Sequence, residues 1–410
     1  MSQLEEFGFP SPLAEPHLTA EPDRIDRLAE SYERGFAQGF LPTVGVEEEL
    51  MLVDPETLEP AEIAATVLEE LSDPRFAAEL RTAQIELVMP VCLTVGDVCR
   101  ELGSARSRLV ESLGGRTRVL AAGTHPSATV PVGVTDKARY RQIAYDHPTA
   151  VRAGMTCGLH VHVGVVEPDE ALAVYNAARS YLPEIAALAA NSPYLGGIDT
   201  RLSSNRLKLT EELPRAGIPP AFASWRDLAG FVAWASEGEL FPDLSYLWWE
   251  LRPRPEYGTL EFRVADAQTS IDGTAAIAAV CQSLVVALGA RYRAGEELPV
   301  HASHVLNENR WRALRDGVES VLVDPVTGVA EPARHRIGRL LLELEPHAAC
   351  LGCADELSRA WPLLAADGAC RQRAVAAGEG VRGLLEWLAN ETELPARREA
   401  SSQPWPTFEG

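Results

Sequence analysis

Two histidines separated by one residue, His160 and His162, sit in the run from Cys157 to Gly164. In a strand, residues two apart share a face. The two imidazoles therefore point one way and Leu159, Val161 and Val163 the other. The same alternation recurs three times. Thr43–Val53 sets Gly45, Glu47 and Glu49 against Val44, Val46, Leu50 and Leu52. Gln84–Met89 sets Gln84 and Glu86 against Ile85, Leu87 and Met89, and Thr259–Val264 sets Glu261 and Arg263 against Leu260, Phe262 and Val264. If these strands share one sheet, a single face gathers Glu47, Glu49, Glu86, Glu261, both imidazoles and a guanidinium. Carboxylates packed together repel and resist ionisation. Divalent cations resolve that conflict, and carboxylate oxygens with an occasional imidazole suit Mg2+ or Mn2+. Mg2+ held by a few carboxylates keeps coordination positions for substrate phosphates.

Each pattern alone has an ordinary explanation. Acidic alternation is usually a solvated strand face, and so is an isolated Glu–Arg pair. The weight lies in the coincidence of four strands. Glu48 falls on the apolar side of its strand, which requires an arginine partner or a bulge. Cys157 shares the apolar side of its strand with Leu159 and is expected in the core.

The elements that must position these residues follow from periodicity. Helical spacing marks Asp23–Gln38, through Ile25, Leu28, Tyr32 and Phe36, then Val98–Leu113, Ala171–Ala190 and Ala275–Ala290. Glu56–Leu80 reads as helix and loop, Arg118–Gly123 as a short apolar strand, and Arg139–Ala153 as helix or loop. Met155–Val166 and Tyr257–Val264 read as strands. Ser192–Pro220 is a long polar loop, a kind often functional. The last hundred residues read as helices. Alternating strands need one buried face only. The fold class is therefore α+β: an antiparallel or mixed sheet, helices packed on one face and the active site on the open face.

The chain has 410 residues, 59 acidic and 37 basic, for a net charge of −22. That balance argues against nucleic acid and against an anionic membrane surface, both of which recruit Lys and Arg. Residues 1–22 and 395–410 read as tails around a single domain, 23–394. The seven cysteines are irregularly spaced. Cys350 and Cys353 have CxxC spacing without a second pair, so free thiols and a cytoplasmic location are expected. The N-terminus has neither a basic nor an apolar leader segment. Ala275–Ala290 is too short and polar to span a bilayer and reads as a buried helix.

The stretches TVGVEEELMLVD, QIELVMPVC, CGLHVHVGV, NSPYLGGIDTRLSSNR, LWWELRPRPEYGTLEFRVADAQTSIDG and NENRWRALRDGVESVLVDPVTG resemble the glutamate–cysteine ligase family 2, in its bacterial carboxylate–amine ligase branch. More distantly the layout is similar to the glutamine synthetase catalytic fold. The resemblance implies metal ligation by Glu47, Glu49, Glu86, Glu261 and His160. It implies a nucleotide beside His162, and Arg263 on the transferred phosphate. Tyr194 to Arg206 matches a loop that shapes the amino-acid pocket, with Arg201 and Arg206 as candidate carboxylate clamps. Trp248, Trp249 and Arg252 are further substrate-binding candidates. The chain departs from the branch at Trp248-Trp249-Glu250, where Tyr-Trp-Asp is common, and at Leu207-Lys208-Leu209-Thr210, where many relatives carry aromatic residues.

What the resemblance implies is ATP-dependent amide formation with Mg2+ or Mn2+. A phosphoryl group passes from ATP to L-glutamate, and a small amino acid, cysteine or a relative, attacks the acyl phosphate. It also implies a homodimer. Two rival readings remain at this point: a metal-dependent hydrolase built on His160 and His162, and a non-catalytic protein that binds a nucleotide or amino acid.

Overall fold

A computed structural model describes residues 21–38, 42–129 and 132–394. The expected N-terminal tail lies outside them except for Glu21 and Pro22, and the expected C-terminal tail lies wholly outside. Pro22 already opens the first helix.

The alternating segments become the middle of a seven-stranded antiparallel sheet. Its strands are β1 (Val44–Val53), β2 (Phe76–Ala78), β3 (Gln84–Val88), β4 (Arg118–Leu120) and β5 (Gly158–Gly164). After a small hairpin of β6 (Tyr194–Leu195) and β7 (Ile198–Asp199), the sheet gains β8 (Leu251–Arg254) and β9 (Thr259–Asp266). The order is β2-β3-β1-β5-β9-β8, with β4 also on β1. β10 (Val321–Val323) and β11 (Ala330–Pro332) form a separate hairpin.

Register decides what meets on the open face. Glu47 lies opposite His160 across the β1–β5 ladder, Glu49 opposite Glu86 across β1–β3, and His162 opposite Glu261 across β5–β9. Such facing residues have Cβ atoms about 5 Å apart. The other face carries Val44, Val46, Leu50, Leu52, Ile85, Leu87, Leu159, Val161, Val163, Leu260, Phe262 and Val264, all in the main core.

Helices cover that apolar face. α1 (Pro22–Ala37) and α2 (Ala64–Leu71) precede α3 (Val95–Leu113), which opens with a capping box between Thr94 and Asp97. α4 (Ala138–Asp146) and α5 (Pro148–Arg152) lead to β5. The helix expected over Ala171–Ala190 is broken into α6 (Pro168–Ala178), a 3-10 turn at Arg179–Tyr181 and α7 (Leu182–Leu188). Pro183 enters at the start of α7, where its missing N–H costs little. The buried Arg179 reaches the Pro219 and His301 carbonyls.

The expected loop Ser192–Pro220 holds β6, β7 and α8 (Asn205–Thr210). α9 (Trp225–Glu237) follows. The 23-residue α10 (Ile271–Arg293) is longer than its apolar stretch suggested, and by length and composition could cross a membrane. Apolar on most sides, it lies buried among α3, α6, β5 and the later α12 (Ala333–Leu351) and α13 (Ala354–Ser358). α11 (Ser303–Asp316), α14 (Ala360–Ala365) and α15 (Gly368–Glu393) complete the helices.

The misplaced Glu48 has its arginine. It is fully buried and held by Arg106 of α3 through Nε at 2.8 Å and Nη2 at 2.6 Å, and the Thr274 hydroxyl donates to it at 2.9 Å.

Cys157 is buried in a core as expected, but not on the apolar face of β5. β5 begins at Gly158, so Cys157 lies outside the alternation. Its thiol joins a second, smaller core with Met51, Val53, Leu120, Met155 and the α15 residues Leu384 and Leu388. The Gln84 amide donates to its Sγ at 2.9 Å. α15 thus covers one end of the open face, and the acidic cluster occupies the rest.

Candidate active site

β1, β3, β5 and β9 bring Glu47, Glu49, Glu86, His160, His162, Glu261 and Arg263 together on one face. His160 Nδ1 lies 3.1 Å from Glu47 Oε2, and its Nε2 is 3.7 Å from Glu49 Oε1. His162 Nδ1 meets the Thr259 hydroxyl at 3.1 Å. Its Nε2 is buried without a hydrogen-bond partner, 3.4 Å from Glu47 Oε1 and 3.9 Å from Glu261 Oε1.

The charges are under strain. Burial, with Glu79 nearby, pushes Glu49 up to about 7. Burial and the charges of Glu79, Glu47 and Glu49 push Glu86 well above the usual carboxylate range, and burial raises Glu79. Burial and the Arg263 guanidinium push His160 down to about 4, so its imidazole is neutral. A proton on Nδ1 serves Glu47 and leaves the Nε2 lone pair free. Burial opposes charge at Glu47 too, yet both histidines hold its carboxyl below the ordinary range.

These groups fit divalent cations. The ligand atoms of Glu47, Glu86 and His160 lie within 4.8 Å of one another, and so do those of Glu47, His162 and Glu261 and of Glu49, Glu79 and Glu86. Carboxylates of raised pKa at Glu49, Glu79 and Glu86 and an orphaned imidazole nitrogen at His162 are groups whose charge and lone pair a divalent cation would satisfy.

Glu79 is the ligand candidate that sequence reasoning missed. It follows a three-residue strand, β2, too short to show alternation.

Glu261 is the anchor of an arginine cluster. Arg252 of β8 binds it through Nε and Nη2 at 2.9 and 3.1 Å, Arg254 Nη1 lies at 3.1 Å, and Arg263 Nη1 also donates to it. Despite full burial, Arg263, Arg252 and Arg254 hold its carboxyl well below the usual range.

Two cavities meet at Glu47. One, about 430 Å3, is lined by Glu49, Glu79, Glu86 and Arg263 and roofed by Lys137, Arg139 and Tyr140, with Trp248 and Arg252 at its wall. Lys137 Nζ donates to the Ala78 carbonyl and Arg139 Nη2 to the Ser245 carbonyl, both at 2.9 Å. The other, about 860 Å3, is largely apolar. Val46, Val88, Met89 and Tyr257 line it beside His162, Thr259 and residues of α1.

Four expected pocket residues line neither cavity. Arg201 is exposed in left-handed backbone, φ 65°. Tyr194 packs in the second core. Trp249 is buried against Phe222 and Phe231. Arg206 is buried against Gly158 of β5, on the side that carries His160 and Glu49; its Nη2 donates to the Arg263 carbonyl at 2.9 Å and its Nη1 lies 4.0 Å from Asp266.

Known proteins resemble this chain over most of its length. The model of glutamate–cysteine ligase family 2 matches residues 43–391. A protein of Rubrobacter xylanophilus provisionally named glutamate–cysteine ligase 2-3 is 38% identical over 359 residues, 85% of this chain and 97% of its own. One of Mycolicibacterium smegmatis, provisionally named glutamate–cysteine ligase 2-1, is 34% identical over 365 residues, 88% of this chain and 97% of its own. Among solved structures, a glutamate–cysteine ligase of Francisella tularensis in complex with AMP superposes with a TM-score of 0.64 at 11% identity, over 88% of this chain and 90% of that one. A bifunctional glutathione synthetase of Pasteurella multocida gives 0.60 at 15% identity, over 90% of this chain and 53% of that one. These two share the fold. The sequence matches, which span nearly the whole chain, place it: the protein belongs to glutamate–cysteine ligase family 2, a family of ATP-dependent carbon–nitrogen ligases.

Proposed function

We propose that this protein joins L-glutamate to a small amino acid, cysteine or a close relative, in a γ-glutamyl amide, with ATP cleaved to ADP and phosphate through an acyl phosphate. The observation that carries the reading is the meeting of two cavities at Glu47. One is apolar and large enough for a nucleoside, and the other is lined with carboxylates and cations. Glu47, Glu49, Glu79, Glu86, His160 and His162 would hold Mg2+ or Mn2+, which neutralises the phosphates of ATP. Glu261 is a weaker candidate ligand, since arginines already surround it.

Arg263 carries the chemistry of this chain's own residues. Fixed by Glu261 beneath it, its guanidinium faces the acidic cavity and meets the charge that spreads over the oxygens in phosphoryl transfer. The carboxylate of the substrate needs a separate partner. Among the described residues lining the acidic cavity, Lys137 and Arg139 are the cations without an ion pair, and we assign them to the substrate carboxylate. Trp248 closes the acceptor side with a rigid apolar surface. Water must be kept from the acyl phosphate, and α4 above the cavity supplies that cover.

Residues 23–394 would act as one catalytic unit in a homodimer. Seven unpaired thiols support a cytoplasmic setting. The test is ADP release with L-glutamate and a panel of amino acids and amines, with the product identified by mass. Product release without ADP, as in a metal-dependent hydrolase, would overturn the reading, as would a preference for a large charged amine.

A further inference from the structure

Helix α1 ends at Ala37, and the span matched by the family begins at residue 43. The helix therefore lies outside the span that the family model matches, and it is firmly seated. Phe36 stacks on Trp225 with ring centroids 4.9 Å apart, Arg24 pairs with Glu237 at 3.0 Å, and Arg226 pairs with Asp26 at 2.6 Å. Gly35 lies against the turn that joins β8 to β9. A Cβ there would sit 2.1 Å from the Pro255 carbonyl oxygen.

This seating puts α1 over the apolar cavity, at the end of the sheet where β1 and β9 begin and β3 and β5 end. Tyr32, Arg34, Gly35 and Gln38 line it opposite Val46 and Met89. Tyr257, 62% exposed, stands at the cavity with its ring 6.0 Å from that of His162. A triphosphate drawn toward Glu47 and the orphaned His162 nitrogen leaves its nucleoside in this cavity. There a planar base finds apolar walls and an aromatic edge, with the exposed Arg34 and Gln38 as polar groups at its rim.

We propose that α1 is a substrate-binding element, closing the cavity around the nucleoside so that nucleotide affinity depends on a helix that precedes the span matched by the family model. The inference rests on the ligase reading above. It assigns Arg34 and Gln38 to nucleoside contact, and Gly35 to the close approach that keeps Tyr257 in place.

The experiment is titration of the full chain with the Mg2+ complex of β,γ-imido-ATP by calorimetry, paired with KM values for ATP and L-glutamate. In the doubly substituted Arg34→Ala, Gln38→Ala protein, loss of one or two hydrogen bonds should weaken nucleotide binding by about tenfold. The glutamate KM should stay unchanged. Gly35→Ala pushes the helix off its turn and should do the same while the protein stays folded by its melting curve. Arg27→Ala, on the same helix but facing a neighbouring groove with Arg24 and Leu28, should change nothing. Nucleotide affinity within twofold of wild type in the doubly substituted protein overturns the role of α1 and leaves the ligase reading standing. Failure of the wild type to bind nucleotide overturns both. Because Arg34 and Gln38 are exposed, the double substitution remains informative even if Gly35→Ala does not fold.

Discussion

Arg106→Met isolates the ion pair behind the metal site. The substitution leaves the Glu48 carboxylate fully buried with the Thr274 hydroxyl as its remaining donor. Breaking a buried pair in this way costs about 3–5 kcal/mol. Arg106 also donates to the carbonyls of Gln268, Thr269 and Thr392, and each carbonyl left bare adds about 1 kcal/mol. The total is roughly 6–8 kcal/mol, which lowers Tm by about 12–30 °C at 2–4 °C per kcal/mol for a large domain. Glu48→Met together with Arg106→Met should recover more than half of that loss, because no charge is then buried alone. Urea and thermal denaturation of the two single variants and the double variant measure the coupling, expected to exceed about 2 kcal/mol. Additive effects, or an Arg106→Met protein that melts within about 2 °C of wild type, would refute the assignment. Glu48 lies between Glu47 and Glu49 on β1, so the same variant should also weaken Mn2+ binding.

Glu47→Gln and Glu86→Gln keep their shape and should fold normally while losing metal-dependent ADP release; near-normal release in both sinks the metal assignment. Arg263→Lys keeps the charge but loses the planar fork, and turnover should fall by roughly two to three orders of magnitude. An effect confined to the glutamate KM would move Arg263 to substrate binding. With Glu49 at about 7 and Glu86 above the usual range, protons compete with metal, so Mn2+ affinity should climb by at least about thirtyfold between pH 5.5 and 8. A flat profile contradicts the electrostatics. The linkage has a definite sign. A carboxyl raised by folding contributes stability at low pH that is lost as pH rises from the unfolded value near 4.5 to about 7. Metal-free Glu49→Gln should therefore gain stability relative to wild type across that window. Light scattering should give a dimer mass at micromolar concentration, and a monomer alone would count against the homodimer.

The four-strand face was legible because alternation encodes which side a residue takes, and register did the rest once the strands paired. Even the anomaly at Glu48 carried information, since a carboxylate on the apolar side called for an arginine or a bulge, and Arg106 is what it has. Other features left weak marks. Glu79 follows a strand too short to alternate. β8 contains Pro253, which reads against a strand and is tolerated because β8 is the sheet's edge. α9 has a serine cap and a buried stripe, but it lies between two segments read for other reasons. The pocket loop was the least legible stretch: Tyr194 packs in the second core, Arg201 is exposed, and Arg206 lies buried against Gly158 of β5. The cavity cations without an ion pair, Lys137 and Arg139, come from the start of α4, whose sequence shows charge without a face.

The last turn of α15 is tied to β4, which pairs with β1, and to α3. The Thr392 hydroxyl accepts from the Ala121 N–H at 3.0 Å, Glu393 pairs with Arg118 at 2.7 Å, and the Thr392 carbonyl receives Arg106, the partner of Glu48. During synthesis, β1 emerges some 340 residues before the helix that seals its end. Until then Met51, Leu120 and Met155 have no cover from Leu384 and Leu388. Contacts of such sequence separation make folding slow, and half-made chains with bare apolar surface aggregate. The acidic face is therefore among the last parts of this protein to become rigid. A nascent chain halted before residue 384 would carry every carboxylate of that face and still lack the structure that aligns them.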